Sequence, residues 1–356
     1  MPTPWKHKFV ILLWIVAIVA AAVYLSLPTK YPPLRPGWTI WRDPGPVRAM
    51  AFLGGDVYCA GLNGVHRLGE ESVAESINLP GTRGTVLAGA MAVDPKGRLW
   101  VGHSQGLSIR DVDGSWRTFT RDDGLPHSFV AALLVTRGGS VWIGTHNGAA
   151  EVPADWSGEA GRVRLLMDSD GLPHARISAM IEDSEGGIWF GTYASPEGGL
   201  GRLADGRWTT WRATDGLPHP NVTSLCAAGD GRVWAGCGFY QEGGAAVFAR
   251  DGERWRLQSV VPTDELSGAN VRSLYEDPLG RMWLGQEYDG ITIRSGGRTV
   301  RIVTLDDGLV SPEVITMARA ADGSLWLGTL QGAVRVSPQA VETLLAGSGN
   351  PSGDPP

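Results

Sequence analysis

Residues 182–192 of the 356-residue chain read EDSEGGIWFGT, and this stretch carries the pattern that decides the fold. A glycine stands three residues before a tryptophan, and a second glycine follows two residues after it. The pattern recurs at Trp100, Trp142, Trp189, Trp234, Trp283 and Trp326, with a degenerate copy at Tyr58. Successive copies are 42 to 49 residues apart. This is the period of the four-stranded blades of β-propellers.

Each copy also contains four short segments that are typical of strands. An apolar segment such as 271–275 leads through a D-x-x-G turn into the segment around the tryptophan. A loop ending in glycine then precedes a third segment, such as 290–294, and an aromatic fourth one, such as 208–211. Four strands in seven copies predict an all-β fold, a closed seven-bladed propeller over residues 37–336. We expect the tryptophans to be core residues between blades and the glycines to form turns.

The two ends of the repeat array predict how the ring closes. The last copy reaches residues 332–336 and then continues as SPQAVETLLA, without a fourth strand. The missing strand is present at the front, where WTIWR at 38–42 resembles WTTWR at 208–212. We therefore expect residues 37–43 to complete the last blade, which removes exposed sheet edges. Residues 337–356 are expected to form a helical turn and a disordered tail.

The composition excludes several classes of protein. Fifty glycines and 23 prolines, with 43% apolar residues, favour a turn-rich β protein with a sizeable core. A net charge of −6 without a basic run makes a nucleic-acid partner improbable. The three cysteines, Cys59, Cys226 and Cys237, are too scattered for a disulfide framework or a zinc site.

The N-terminal region predicts attachment to a membrane. Residues 9–27, FVILLWIVAIVAAAVYLSL, are uncharged and long enough as a helix to span a bilayer. Residues 1–8 would then be a short cytoplasmic segment, and the proline-rich residues 28–36 a stiff stalk. A cleaved signal peptide is the alternative, because small residues stand at 20–22. Either interpretation places the propeller outside the cytoplasm, as a single-pass protein of the cell membrane if the helix is retained.

Several segments resemble the two-component regulator propeller repeat: 182–192, RGGSVWIGTHNGAAEV at 137–152 and SDGLPHARISAMIEDSEGG at 169–187. The resemblance covers roughly residues 37–336. It implies a bacterial, periplasmic sensor domain that recognises extracellular ligands, often glycan fragments, and signals to a histidine kinase through a β-sandwich and a membrane helix. Here neither sandwich nor kinase follows residue 336, and the apolar segment precedes the propeller. We therefore expect any signal to need a separate kinase or regulator.

Four loops between blades carry an Asp-Gly turn, which ends in Gly124, Gly171, Gly216 or Gly308. The first three continue as Leu-Pro-His, and His127, His174 and His219 are candidate ligand-binding residues on the ring face where a ligand would bind. A ring of histidines suits a metal or a pH switch. A residue at this position also suits a turn, where its side chain satisfies a backbone group. We favour the turn and predict no metal site and no cofactor.

The loops between the second and third strands of three consecutive blades are longer than in the other copies. Their extra residues mix aromatic rings with carboxylates and amides, the composition of a sugar or peptide site. The candidate ligand-binding residues there are Tyr193, Glu197, Phe239, Tyr240, Gln241, Glu242, Gln286, Glu287, Tyr288 and Asp289.

These features favour a ligand-binding or sensor propeller whose ligand is an oligosaccharide or a peptide. A protein-interaction scaffold of a membrane assembly is the first alternative. The sequence has no G-x-S-x-G, H-E-x-x-H or phosphate-loop motif, so we do not expect an enzyme. Some propellers with similar tryptophan-rich repeats are nevertheless lyases or hydrolases that use a histidine and a glutamate from loops. His219 and Glu242 would be that pair in a second alternative.

Overall fold

The seven repeats fold into seven antiparallel sheets of four strands each. The computed structural model describes residues 34–157 and 163–346. The predicted membrane helix at 9–27, the N-terminal segment 1–8, residues 28–33 of the predicted stalk and the tail from 347 lie outside the described residues. Within the described residues, no helix combines the length and apolar character needed to cross a membrane.

The strands of the first four blades run in chain order from the channel outward. Blade one contains β2 (Val47–Leu53), β3 (Asp56–Gly61), β4 (Gly64–Leu68) and β5 (Val73–Ile77). Blade two contains β6 (Ala88–Val93), β7 (Leu99–His103), β8 (Gly106–Arg110) and β9 (Trp116–Phe119). Blade three contains β10 (Val130–Val135), β11 (Val141–Thr145), β12 (Gly148–Val152) and β13 (Arg164–Leu166). Blade four contains β14 (Ile177–Glu182), β15 (Ile188–Thr192), β16 (Leu200–Ala204) and β17 (Arg207–Trp211).

Blades five and six follow the same order, and blade seven takes its outermost strand from the N-terminus. Blade five contains β18 (Val222–Ala227), β19 (Val233–Phe239), β20 (Glu242–Asp251) and β21 (Arg254–Val261). Blade six contains β22 (Val271–Glu276), β23 (Met282–Gln286), β24 (Ile291–Ser295) and β25 (Arg298–Val303). Blade seven contains β26 (Val314–Arg319), β27 (Leu325–Thr329), β28 (Gly332–Val336) and β1 (Trp38–Trp41), and α1 (Pro338–Ala346) follows it.

The N-terminal strand closes the ring, as the sequence predicted. β1 pairs antiparallel with β28, with Trp38 opposite Val336 and Trp41 opposite Ala333. The indole of Trp41 stacks on Trp326, with ring centroids 5.0 Å apart. Its Nε1 donates a hydrogen bond of 3.0 Å to the carbonyl of Gly69 in blade one. One side chain therefore joins the completed last blade to the first.

The repeated tryptophans pack between blades, which confirms the prediction from their spacing. The six anchors and Tyr58 are at most 7% exposed. Buried apolar side chains form one cluster at each of the seven seams of the described ring. At the seam of blades four and five, for example, Trp189 packs with Val233 and Phe248. Adjacent blades thus share their cores, and no blade has a core of its own.

A buried aspartate in the D-x-x-G turn fixes the indole in three of the blades. Asp183 is 1% exposed and accepts hydrogen bonds from Trp189 Nε1 at 2.7 Å and Arg202 Nε at 2.6 Å. Burial alone raises the pKa of Asp183, but these hydrogen bonds outweigh it and hold the pKa below its usual value. Asp94 and Asp277 bind Trp100 and Trp283 in the same way, at 2.9 and 3.0 Å.

Asp183→Ala should destabilise the propeller by about 3–5 kcal/mol, because it leaves the Arg202 guanidinium and the Trp189 N–H without their buried partner. Asp230→Ala is the matched control, since Asp230 pairs with Arg232 at the exposed surface of blade five. That change should cost less than about 1 kcal/mol. Urea unfolding measures both, and equal losses would contradict the role of Asp183.

Trp41→Ala should destabilise the ring by about 3–5 kcal/mol, the cost of truncating a buried tryptophan. Trp41→Phe should lose less, because it keeps a ring against Trp326 and gives up only the hydrogen bond to Gly69. Thermal or urea unfolding of the two variants checks the closure. A Trp41→Ala protein as stable as the wild type would show that the ring does not depend on this seam.

Candidate ligand-binding site at the channel mouth

The loops that precede the innermost strands meet the loops between second and third strands on one face of the ring. Backbone hydrogen bonds join the two sets: His146 N donates to the carbonyl of Phe129 at 3.1 Å, and Tyr193 N to the carbonyl of Arg176 at 3.0 Å. Glu287 N likewise donates to the carbonyl of Asn270, at 2.9 Å. The two classes of loop therefore surround one opening, the mouth of the central channel.

Every innermost strand has a register irregularity directly after its first residue. The first residue packs in the core, as Val47 and Val130 do with no exposed surface. The next residue is unpaired at the bulge and lines the channel in each blade: Arg48, Gly89, Ala131, Ser178, Thr223, Arg272 and Ile315. The repeat thus fixes the core residue and leaves its channel-facing neighbour free to vary.

These bulge residues form much of the wall of a cavity of about 410 Å³ at the mouth. Arg176 adds a third guanidinium to those of Arg48 and Arg272, and Phe129, His146 and Tyr193 add rings. Of these residues the sequence analysis had proposed only Tyr193 as a ligand-binding residue. The sequence analysis missed the arginines. The repeats did contain a signal for Arg48 and Arg272, because each stands directly after the Val, Ile or Ala that begins an innermost strand, at a position that differs between blades.

The charges at the mouth are only partly compensated. Arg272 Nη2 lies 3.3 Å from Oε1 of Glu313, a carboxylate on a residue that is 3% exposed. Burial raises the pKa of Glu313 and the neighbouring Glu287 raises it further, while Arg272 opposes the shift. Burial and the charge of Arg272 lower the pKa of Arg48. Among the described residues, Arg272 Nε is also buried without a hydrogen-bond partner.

Aromatic rings from the longer loops form a rim beside this cavity. The ring centroid of Phe239 lies 6.4 Å from that of Tyr193 and 4.4 Å from that of Tyr240. The guanidinium of Arg176 lies over the Tyr193 ring, 5.4 Å from its centroid. Tyr240 is 75% exposed, and both Tyr240 and Tyr288 adopt left-handed backbone conformations, with φ of 53° and 71°. Such a conformation costs about 1 kcal/mol in a non-glycine residue, so the fold holds these exposed rings in place against strain.

The other residues predicted in these loops differ in their surroundings. Gln241 and Glu242 are exposed beside Tyr240, and Asp289 is exposed beside Tyr288. Glu287 accepts a hydrogen bond of 2.5 Å from Asn270 Nδ2 at the mouth. Glu197 is exposed, and its backbone carbonyl accepts a hydrogen bond from Arg212.

Gln286 is a correction, because the structure buries it completely. Its side-chain oxygen accepts hydrogen bonds from Ser267 Oγ at 2.8 Å and Thr292 N at 3.1 Å. Gln286 occupies the strand position that Thr145 and Thr192 hold in blades three and four, where the hydroxyl bonds to backbone across the loop. The amide therefore stabilises the interior of the blade and does not face the ligand cavity.

The histidines of the DGLPH loops take the turn role that the sequence favoured. In all three, Nδ1 accepts a hydrogen bond from the backbone N–H two residues later, at 2.9 Å for His127 and 3.0 Å for His174 and His219. In the last blade the hydroxyl of Ser311 accepts from Glu313 N in the same way. Residues 34–157 and 163–346 contain no group of three His, Cys, Asp or Glu side chains arranged to hold a metal ion.

Two other histidines near this face are neutral at physiological pH. Burial lowers the pKa of His103 to about 4. Burial, with the charges of Arg176 and His127, lowers the pKa of His146 to about 4. The positive charge of the cavity wall at neutral pH therefore comes from the three arginines.

His103 should make the protein acid-sensitive. Its pKa is near 6.5 when unfolded and about 4 when folded, so the unfolded chain binds the proton first. The resulting loss, about 3 kcal/mol, develops as the pH falls from 6.5 to 4 and is absent above that range. His103→Thr introduces the residue that blades three, four and seven carry at this position. The free energy of unfolding of this variant should fall less between pH 7 and pH 4.5 than that of the wild type. Urea unfolding at pH 7 and pH 4.5 measures the difference, and identical pH profiles would contradict it.

Seven four-stranded blades around a central channel define a seven-bladed β-propeller. A family model described as two component regulator propeller matches residues 171–194, 216–239 and 265–288. Three segments, in the region of blades four to six, therefore match the repeat of that family. No curated protein sequence matches the chain significantly.

Solved structures share this fold at low sequence identity. The extracellular domain of the hybrid two component system BT3049 from B. thetaiotaomicron has a TM-score of 0.72 and 17% identity, over 88% of this chain and 42% of that chain. The extracellular domain of BT4673 from the same organism has a TM-score of 0.66 and 15% identity, over 87% of this chain and 40% of that chain. Virginiamycin B lyase from Staphylococcus aureus with quinupristin has a TM-score of 0.60 and 13% identity. The match covers 86% of this chain and 97% of that chain. The chain thus spans about two fifths of the two sensor domains.

Proposed function

We propose that this propeller is the ligand-binding module of a sensor, and that it binds an extracellular oligosaccharide or peptide at the channel mouth. The cavity at the mouth carries the proposal. Its wall holds three arginines and three aromatic or imidazole rings at positions where the blade architecture does not dictate the residue. The repeat family and the fold shared with extracellular sensor domains support the same assignment.

A hydrolase or lyase function is less well supported. It rests on His219 and Glu242, together with a fold shared with virginiamycin B lyase. His219 is 7% exposed, and its Nδ1 accepts the hydrogen bond from Asn221 N that defines the turn. The identical bonds of His127 and His174 give His219 a structural explanation that needs no catalysis.

We propose further that residues 9–27 anchor the chain in the cell membrane, with the propeller outside the cytoplasm. The uncharged run in the sequence supports this part of the proposal. Signalling would then pass to a separate kinase or regulator. A scaffold function predicts instead that the same face binds another protein of a membrane assembly.

The ligand-binding function is tested by screening the full chain against oligosaccharides and peptides with a thermal-shift assay. Tyr240→Ala combined with Glu242→Ala should weaken binding of any hit at least about tenfold, since an exposed ring and carboxylate at the rim are lost. The melting temperature without ligand should change by less than about 1 °C, because both side chains are exposed.

Leu279→Ala is the matched control, because Leu279 is a comparably exposed side chain in the D-x-x-G turn of blade six. It should leave the affinity unchanged. If no compound of either class binds, or if the double variant binds as tightly as the wild type, the assignment of the site is wrong. Capture of a membrane-protein partner by this face without any small ligand would favour the scaffold.

A further inference from the structure

We propose that the channel mouth recognises its ligand through one carboxylate group, which Arg48, Arg176 and Arg272 hold on the channel axis. This inference deepens the ligand-binding function proposed above and rests on it. It names the chemical class of the ligand, a saccharide or short peptide that carries a carboxylate.

The first argument is the placement of the three guanidiniums. Arg48 belongs to blade one, Arg176 precedes the first strand of blade four, and Arg272 belongs to blade six. All three line the same cavity of about 410 Å³. Since the seven blades surround the channel, arginines from blades one, four and six approach its axis from three sides. A group on the axis is therefore within reach of donors from each side.

The second argument is that two of the three arginines have no carboxylate partner. Among the residues that the structure describes, neither Arg48 nor Arg176 forms an ion pair, and the contact of Arg176 is with the face of the Tyr193 ring. Burial and then the charge of Arg272 lower the pKa of Arg48, and the charge of Glu313 only partly opposes them. Three like charges around a partly buried cavity destabilise the empty site, and an anion removes that repulsion.

The third argument is the balance of charge. Two carboxylates lie beside the wall: Glu313 pairs with Arg272, and Glu287 accepts a hydrogen bond from Asn270. Neither of them lines the cavity within the part of the chain that the structure describes. Three guanidiniums beside two carboxylates leave one positive charge in excess, and His146 adds none at neutral pH because its pKa is about 4. The cavity wall itself, lined by three arginines and no carboxylate among the described residues, therefore favours an anionic ligand.

The fourth argument is that a carboxylate already engages one of these arginines. Glu313 Oε1 lies 3.3 Å from Arg272 Nη2, and the Arg272 side chain is still 22% exposed. The guanidinium therefore retains donors for a second carboxylate. The rings of Tyr193 and Phe129 flank the cavity and offer faces for the uncharged part of the ligand, such as a sugar ring.

The test compares matched acidic and neutral probes on the full chain by thermal shift and titration calorimetry. The saccharide pair is galacturonic acid and galactose, and the peptide pair is a short peptide with a free C-terminus and its C-terminal amide. We expect at least one acidic probe to bind at least about tenfold tighter than its neutral counterpart, with the preference weakening as salt is added. The pair that shows the preference identifies the source of the carboxylate.

Arg176→Gln and Arg48→Gln should each weaken binding of the acidic probe about tenfold. Neither change should lower the melting temperature of the free protein, because neither leaves an ion-paired carboxylate without its partner. Arg207→Gln is the matched control, since Arg207 is exposed on the outermost strand of blade four. Arg272→Gln is unsuitable, because it would leave Glu313 buried without its partner.

The inference is overturned if acidic and neutral probes bind equally, or if acidic probes bind but the Arg176→Gln and Arg48→Gln variants bind them unchanged. A panel in which only neutral ligands bind also overturns it. That last result leaves the ligand-binding function standing, provided that the Tyr240→Ala, Glu242→Ala double variant loses the binding.

Discussion

Closure of the ring is the constraint on which the rest of this structure depends. Each blade shares its apolar core with its neighbours, so an open array would leave one seam without a partner. β1 completes blade seven, and Trp41 stacks on Trp326 while it bonds to the carbonyl of Gly69 in blade one. The channel exists because the seventh seam is made. The mouth of that channel then collects one short segment from every blade.

Each repeat places a core position and a variable, channel-facing position side by side in the innermost strand. The first residue of an innermost strand packs in a seam, and the residue after it lies at a bulge and faces the channel. A bulge therefore lets the channel-facing residue differ between blades, from Gly89 to Arg272, with no change in the core. The left-handed backbones of Tyr240 and Tyr288 likewise present exposed rings at the rim, outside the cores of the blades.

The treatment of charge differs between the seams and the mouth. In the seams, Asp183 is buried but receives hydrogen bonds from Arg202 and Trp189, so its charge is compensated. At the mouth, Arg48 and Arg176 line a cavity without such a carboxylate in the described structure. The seams therefore neutralise their buried charge by hydrogen bonding, whereas the mouth holds two arginines that form no ion pair among the described residues.

The sequence by itself determined the number of blades, the strands of each blade, the closure by residues 38–41 and the turn role of the DGLPH histidines. These features recur or pair at fixed spacing, and each follows from local geometry: a strand alternates, a glycine permits a turn, and a tryptophan every 42 to 49 residues marks a repeated seam. The sequence also predicted that the long loops of blades four to six lie together, because consecutive blades are neighbours.

The tertiary structure alone decided which residues meet at the channel. Arg48 and Arg272 are more than 200 residues apart in the chain, and they face one cavity only because the ring closes and each bulge turns one side chain toward the axis. Burial decided the opposite outcome for Gln286. Its spacing from Trp283 matches that of Thr192 from Trp189, but only the structure shows that its amide completes the interior of the blade.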